Sequence, residues 1–349
     1  MKKIYILLIF SLLLTNIFGQ ISLTSRDNGL LPGDSSRTRE INFVDPGNPG
    51  ENLVWNFSGI VFTGKSTFCG VKENSELKAT APGGKNLTVS EDGYDYNYMV
   101  SETGYQETGY VNNAKKMTLE YPDPIVKMKY PFSYGAHFSD PFTGIAWYNG
   151  TSRIDLSGEY TVSADATGTL ILPDRMVTNT LRVKIVKNYL QIGTCGSTQT
   201  RLEKYYWYAP GYRYPVMMVS TNTNTYSGKE PVVVQSAWVN VSQLSSGALT
   251  AGTDPKNQAE AGVNSAIAYP NPFSDQFTYN YLLQKQAPVT IELYDMSGQF
   301  NVRIEKRQIQ SEGLHTGTVN SAVLGLAPGM YYLRFTLDKQ VIVTKIVKI

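Results

Sequence analysis

The chain has 349 residues, enough for two domains, and a formal net charge of +2. Charged residues make up 17% of the sequence and form no large block of one sign. This composition argues against a dedicated nucleic-acid-binding protein, which needs a concentrated basic surface.

Residues 1–19 predict a secretory signal peptide. Lys2 and Lys3 provide the positive start, and the apolar run 4–14 has signal-peptide length but is short for a bilayer span. Cleavage after the small residue Gly19 is the expected processing step. An uncleaved membrane anchor is the alternative.

Residues 20–242 are expected to form a β-rich ectodomain, the passenger of the exported chain. Turns rich in Pro and Gly separate short runs of Val, Ile, Thr and Tyr that alternate with period two. The run 180–187 shows this best, with Leu181, Val183 and Ile185 on one face and Arg182 and Lys184 on the other. The run 232–234, three valines, is predicted to be a central buried strand. The predicted class is all-β, with a β-sandwich-like ectodomain.

Two cysteines, Cys69 and Cys195, remain after export. Because exported chains meet an oxidising compartment, an even pair predicts a disulfide between them. Two separate buried thiols are the alternative reading.

The sequence shows no catalytic equipment, and we predict no enzyme activity, no cofactor and no metal. Histidine occurs only as His137 and His315, and no Gly-x-Ser-x-Gly motif is present. The densest acidic cluster is Glu91, Asp92 and Asp95, which reads as a polar turn or, alternatively, as part of a glycosidase carboxylate pair. A hydrolase on a β scaffold is therefore the second hypothesis.

Three further carboxylates, Asp45, Glu51 and Asp140, are weak candidates for calcium ligands. They lie beside Pro-containing turns and offer the oxygen ligands that calcium prefers. No EF-hand spacing accompanies them, so a structural role in the turns is the expectation.

Aromatic residues are the most suggestive feature of the ectodomain. Tyr94, Tyr96 and Tyr98 share one strand face, and Tyr206 and Tyr208 share another. These five are predicted to form an aromatic binding surface for a glycan, another polymer or a protein partner. Core packing with cross-strand pairs is the alternative.

Residues 243–265 are small and polar and predict a flexible linker. Residues 266–349 predict a second β-domain, because six or seven alternating runs fit a compact immunoglobulin-like β-sandwich. The ectodomain and this terminal module are thus expected to be separate units.

The terminal module resembles the type A sorting domain of the Bacteroidota type IX secretion system. The resemblance rests on Tyr-Pro-Asn-Pro-Phe at 269–273, a Leu-Tyr-Asp-Met-Ser-Gly turn at 293–298, Leu-Ala-Pro-Gly at 326–329 and a basic last strand. The motif residues are Pro270, Asn271, Pro272, Gly298, Pro328, Gly329, Lys345 and Lys348.

That resemblance implies export across both membranes to the cell surface or the medium. The implied partners are the outer-membrane translocon and a sortase that removes the domain, with release or attachment to lipopolysaccharide as the last step. Segments 46–58 and 164–173 also resemble uncharacterised secreted Bacteroidota proteins, which transfers no activity. We predict a non-catalytic binding or adhesion module, and a purely structural surface component is the third hypothesis.

Overall fold

The computed structural model describes residues 21–75, 84–194, 196–242, 264–296 and 301–349. In the ectodomain they form fifteen strands and one short helix, α1 (Ser25–Asn28). These strands are β1 (Ser22–Leu23), β2 (Ser35–Ile41), β3 (Gly50–Asn56), β4 (Phe62–Glu73), β5 (Lys85–Glu91), β6 (Tyr94–Ser101), β7 (Gly104–Asn112), β8 (Met117–Lys129), β9 (Phe132–Ser133), β10 (His137–Tyr148), β11 (Ser152–Ile171), β12 (Met176–Gly193), β13 (Gly196–Tyr208), β14 (Met217–Tyr226) and β15 (Val232–Asn240).

The terminal module contributes seven strands. They are β16 (Ser265–Tyr269), β17 (Gln276–Leu283), β18 (Ala287–Asp295), β19 (Asn301–Gln310), β20 (Gly313–Asn320), β21 (Gly329–Leu337) and β22 (Gln340–Lys348). The all-β class is confirmed. Across the described residues, no helix is long and apolar enough to cross a bilayer.

Twelve strands of the ectodomain form one sheet that closes on itself. The order runs β10-β8-β7-β6-β5-β4-β2-β15-β14-β13-β12-β11, and β10 also pairs with β11, which completes the ring. All neighbours in the ring are antiparallel, whereas β3 adds in parallel to the far half of β11. The opposing walls of the ring face each other as the two sheets of a sandwich do.

The strands are strongly staggered around the ring. Following the pairing register once around gives an offset of about 16 residues, a strand tilt of about 45° and a backbone radius of about 12 Å. An eight-stranded closed sheet has room only for its own side chains. Twelve strands enclose more space, so large side chains must fill the interior or leave part of it to solvent.

The two ends of the ring differ. One end, which we term the hairpin end, carries the turns that join β5 to β6, β7 to β8, β10 to β11, β12 to β13 and β14 to β15. The opposite end is closed by β1 and β9, which pair with each other. Leu23 and Phe132 from these two strands are buried in the core there.

Alternation along β12 matches the prediction for its apolar face. Leu181, Val183 and Ile185 are buried inside the ring. Lys184 lies on the outer face and forms an ion pair with Glu203 at 3.0 Å. Arg182 shares this outer face but is fully buried, because the segment around β3 covers it.

The prediction of a central buried strand at Val232, Val233 and Val234 is wrong. Each of the three keeps about half of its surface exposed (49%, 54% and 54%). The cause is the stagger of the ring, since β2 pairs with β15 only over residues 237–240. The first half of β15 therefore extends beyond its neighbour at the hairpin end.

The terminal module consists of two sheets. The first has the order β16-β17-β20 and the second β19-β18-β21-β22. Their inner faces share one core that includes Phe277, Tyr281, Leu333 and Phe335. Seven strands in this two-sheet arrangement confirm the small sandwich expected from the sequence.

Candidate functional site

Tyrosines and charged residues converge on the inner face of the closed sheet. Because side chains alternate between the two faces of a strand, every second residue of the twelve strands points into the ring. We call the following set the inner site: Tyr94, Tyr96, Tyr98, Tyr105, Tyr110, Tyr121, Tyr160, Tyr189, Tyr206 and Tyr208, with Glu91, Glu107, Lys127, Lys187 and Lys204.

All five tyrosines of the predicted binding surface belong to this inner site. Tyr94 and Tyr96 stack at 5.7 Å on β6, and Tyr206 and Tyr208 lie 6.4 Å apart on β13. Tyr98 meets Tyr105 of the next strand edge to face at 5.7 Å. The two groups thus line different walls of one interior instead of forming a strip on the outer surface. Whether they bind a ligand stays a prediction.

The opposite face of β13 is covered as well. Trp207 is fully buried there and meets Trp55 of β3 edge to face at 5.8 Å. The aromatic residues on both faces of 205–208 are therefore enclosed, one set by the ring interior and the other by the segment around β3.

Lys187 is held among aromatic rings in the inner site. Its Nζ donates a hydrogen bond to the Tyr121 hydroxyl at 2.7 Å and lies 4.6 Å from the Phe142 ring and 5.1 Å from the Tyr189 ring. Burial, followed by the positive charge of Lys127, lowers the pKa of Lys187 to about 7. This amine therefore changes charge near neutral pH.

Glu107 and Lys127 form the one close ion pair of the inner site among the described residues. Lys127 Nζ lies 2.8 Å from Glu107 Oε2, and Glu107 is almost fully buried. The ammonium also lies 4.2 Å from the centre of the Tyr160 ring. Removing either charge would leave the other uncompensated in a poorly solvated place.

Glu91 and Lys204 provide the remaining two charges. Burial raises the pKa of Glu91, an effect that Lys204 opposes, and burial lowers the pKa of Lys204. Burial and then the charge of Glu91 raise the pKa of Tyr206. The strands β5 and β13 are five strands apart in the ring of twelve, so their walls lie nearly opposite each other. With all five groups ionised, three ammonium groups face two carboxylates.

Solvent reaches part of this interior. Tyr98, Tyr105, Tyr206 and Lys204 stay only half-buried although the wall surrounds them. Side chains packed to normal core density would be fully buried at this position. The interior is therefore incompletely filled by the protein's own side chains.

The interior is polar towards the hairpin end. Gln191 Nε2 donates to Thr200 Oγ1 at 2.9 Å, and that hydroxyl donates to Asn224 Oδ1 at 2.8 Å. Asn222 Oδ1, nearby on β14, is buried without a hydrogen-bond partner among the described residues. A buried carbonyl oxygen of this kind needs a donor, such as water or a ligand.

Other candidate residues from the sequence have local roles. His137 is exposed, with Nδ1 3.4 Å from the Gly135 carbonyl oxygen. Asp92 forms an exposed ion pair with Lys65 at 3.5 Å. Asp95 accepts a hydrogen bond from Ser90 on the adjacent strand. Of the acidic cluster, only Glu91 faces the inner site.

Two of the three carboxylates considered as calcium ligands accept backbone hydrogen bonds, and the third, Glu51, is exposed on β3. Asp45 Oδ1 accepts from the Gly47 amide at 2.8 Å, and Asp140 Oδ2 accepts from the Val126 amide at 2.7 Å. The described part of the chain contains no group of three or more residues that could hold a metal ion.

Cys69 lies on β4 and faces the interior, where burial raises the pKa of its thiol to about 11. Cys195 lies outside the described residues, so the disulfide stays a prediction. The predicted linker at 243–265 is likewise almost entirely outside them.

One surface cleft of about 420 Å³ lies along β5 to β8, away from the hairpin end. Its charged lining residues are Lys85 and Lys129, and its aromatic ones are Tyr105 and Tyr130. Its lining includes Gly84, the first described residue after the gap at 76–83. Lacking a convergent set of functional groups, it is a weaker candidate than the inner site.

Arg182 has a role that the sequence did not reveal. Its guanidinium binds Asp165 in a two-pronged ion pair at 2.9 and 3.0 Å. It also donates to the carbonyl oxygens of Pro46, of Gly47 (3.1 Å) and of Asn48 (3.1 Å). One buried side chain thereby fixes the turn before β3 on the outside of the ring. The only available sequence signal was the Pro-Gly-Asn turn at 46–48, which lies some 135 residues before Arg182.

The sorting motif lies along the last strand of the chain. Asn271 Nδ2 donates to the Lys345 carbonyl at 2.8 Å, and Asn271 Oδ1 accepts from the Val347 amide at 2.8 Å. Phe273 continues the pairing through its amide to Val347 and its carbonyl to Ile349, both at 2.9 Å. Pro270 and Pro272, each after a cis peptide bond, flank Asn271. The motif thus pairs with the free edge of β22.

The other motif residues lie around the same sheet or outside the described part. Lys348 Nζ donates to the Ser274 carbonyl at 2.6 Å, whereas Lys345 is exposed. Pro328 and Gly329 are exposed where β21 begins. Gly298 lies outside the described residues.

Comparison with known proteins identifies the terminal module. Residues 267–349 match the family model of the secretion system C-terminal sorting domain. This is the sorting domain of the type IX secretion system, and it implies interaction with that machinery and export to the cell surface or extracellular space.

The ectodomain has no comparable match. No curated protein matches the chain. Among solved structures, it is similar to dimeric latent PorU from Porphyromonas gingivalis, at 11% identity and a TM-score of 0.20. The match covers 91% of this chain and 34% of that one, so the chain spans about a third of that protein's length. A likeness this weak carries no argument about fold or function.

Proposed function

We propose that the exported protein is a non-catalytic binding protein that holds a small anionic ligand in the inner site. The observation that supports this is the set of three lysines and ten tyrosines on the inner face of an incompletely filled ring. The sequence-based prediction allowed a polymer ligand on an aromatic surface. The proposed ligand is smaller, because a polymer with side branches would not fit inside a ring whose backbone radius is about 12 Å.

Charge and chemistry both favour an anion. With every group ionised the site carries one more positive than negative charge, and Lys187 is the ammonium that burial disfavours most clearly. A negative group near Lys187 would offset that cost and raise its pKa. Tyrosine hydroxyls can donate to ligand oxygens, and their rings can stack on a flat ligand ring.

The proposal is tested by calorimetric titration of the purified chain with small anions: uronic acids, sugar phosphates and aromatic carboxylates. We expect binding of at least one class, with proton uptake near pH 7 as Lys187 becomes charged. Lys187→Met should weaken binding at least tenfold. Lys184→Met is the matched control, since Lys184 lies on the same strand but on the outer face.

Absence of binding across all three classes, or equal loss in both variants, would contradict the proposal. A binding ligand that is consumed over time would instead favour the hydrolase hypothesis. In that case Glu91→Gln should abolish turnover while leaving affinity.

We also infer the specific partners of the terminal module: the outer-membrane translocon, and a sortase that removes the module with release or attachment to lipopolysaccharide. The resemblance at 269–273 and 326–329 supports this inference, as does the exposed Lys345 beside the paired motif. The intact mass of the exported protein tests it. We expect the signal peptide to be absent and the new C terminus to fall within 243–265.

A further inference from the structure

Large apolar side chains are exposed along part of the hairpin end of the closed sheet, from the start of β4 through β15, β14 and β12 to β10. We call this set the apolar rim, and its members are between 38% and 65% exposed. They are Val61, Trp147, Tyr148, Ile192, Tyr226, Val232, Val233 and Val234.

The pairing register places these residues at a common level although they are far apart in sequence. Trp147 and Tyr148 end β10, Ile192 lies near the end of β12, Tyr226 ends β14 and Val232 begins β15. After the stagger between strands is taken into account, the rim spans about 10 Å along the ring axis. Exposed apolar side chains are thus gathered at one end of the ring instead of being scattered over the domain, which makes this end a candidate interaction surface.

The exposed charged residues on the turns beside the rim are mostly basic. Lys115 and Lys116 lie on the exposed turn between β7 and β8, and Lys229 lies on the turn between β14 and β15, next to Glu230. Arg153, on the outer face of β11, is already paired with Asp155 at 2.7 Å. The hairpin end therefore presents an excess of positive charge around apolar tips.

This combination fits a lipid surface better than a protein partner. The rim residues project from three hairpins and from the loop before β4 around a polar mouth, so a protein partner would find separate apolar tips instead of the continuous apolar core of a protein interface. Lipid accommodates separate tips, Trp and Tyr favour the boundary between headgroups and acyl chains, and lysines favour anionic headgroups. We propose that the apolar rim docks the exported protein onto an anionic lipid surface, with the hairpin end facing the lipid.

Vesicle flotation tests this proposal. The purified chain should float with phosphatidylcholine vesicles that contain phosphatidylglycerol and stay behind with phosphatidylcholine alone. The double variant Trp147→Ser with Val233→Ser should lose at least nine tenths of the bound fraction. Leu31→Ser is the matched control, because Leu31 is comparably exposed but lies at the opposite end, and it should float normally.

A second double variant tests the contribution of the lysines to lipid binding separately from that of the apolar side chains. Lys116→Gln with Lys229→Gln leaves every apolar side chain in place and should weaken flotation severalfold, with rescue when salt is lowered. Failure of the unaltered chain to float, or flotation that the rim variant does not change, would overturn the proposal. So would a dimer in solution that the rim variant dissociates, because the rim would then bind a second copy.

Discussion

At the scale of single residues, the lowered pKa of Lys187 makes stability depend on pH. The folded pKa of about 7 lies below the ordinary lysine value of 10.5. Between these values the unfolded chain binds a proton that the folded chain does not, so raising the pH favours the folded state. Lys204, whose pKa is also lowered, acts in the same direction.

We therefore expect the unfolding free energy to rise between pH 7 and 9.5, and Lys187→Met to flatten that rise by about 1–3 kcal/mol. The unfolding free energy at each pH is measured by urea titration, with tryptophan fluorescence as the signal. Lys184→Met should keep the rise, since the pKa of Lys184 is raised by Glu203 and Tyr205, against the effect of its partial burial. A wild-type curve that is flat over this range would contradict the charge state assigned to Lys187.

Arg182 gives a second residue-level prediction. Arg182→Leu would leave Asp165 without its ion pair and three carbonyl oxygens without a donor, at a cost of about 3–5 kcal/mol of unfolding free energy. Arg182→Lys should lose less unfolding free energy than Arg182→Leu but should not reach the wild-type value, because an ammonium group cannot make the two-pronged contact with Asp165. Chemical unfolding measures both, with Lys184→Met as the outer-face control. A loss below about 1 kcal/mol would show that the turn before β3 does not depend on this side chain.

Sequence alternation predicts which face of β12 each side chain takes, but not the burial of Arg182. Its face is covered by a turn some 135 residues earlier in the chain, and no local pattern encodes that distant contact. The same limit applies to Tyr94, Tyr96 and Tyr98. The sequence indicates that they share a face, whereas only ring closure decides that this face is interior.

At the scale of elements, the contact between the sorting motif and β22 is specific enough to test. Asn271→Ala removes two hydrogen bonds to the last strand and should lower the stability of the terminal module by about 1–3 kcal/mol. Amide exchange at Val347 should accelerate while exchange in β18 follows only the global change. Gln308→Ala, an exposed side chain on the edge strand β19, is the control. Unchanged exchange at Val347 would contradict the role of Asn271.

Strand β15 shows why the sequence pattern alone predicts burial wrongly at the end of a strand. Three consecutive valines are typical of a strand buried on both faces. Burial also requires neighbours, and the stagger of the ring removes β2 from the first half of β15. The run that looked central is therefore part of the apolar rim. Stagger depends on every pairing around the ring, so it has no local sequence signature.

At the scale of the whole molecule, the sequence predicts the class and the division into ectodomain and sorting module. Turn spacing and alternation are local properties, and both persist in the folded chain. Ring closure is different, because it requires β10 to pair with β8 on one side and β11 on the other. Without closure the aromatic residues lack a common interior, which is why the inner site was not predictable as a site.

At this scale we predict that export depends on the folded terminal module. Deleting residues 344–349 removes the second half of β22, including Ile346, which is fully buried in the core of the terminal module. The module should then unfold while the ectodomain, whose ring shares no strand with it, keeps its fold. Cell fractionation with protease accessibility should find the deleted protein in the periplasm and the full chain on the surface. Lys339→Gln, in the turn between β21 and β22, is the control and should be exported normally. Surface display of the deleted protein would show that export does not require the folded module.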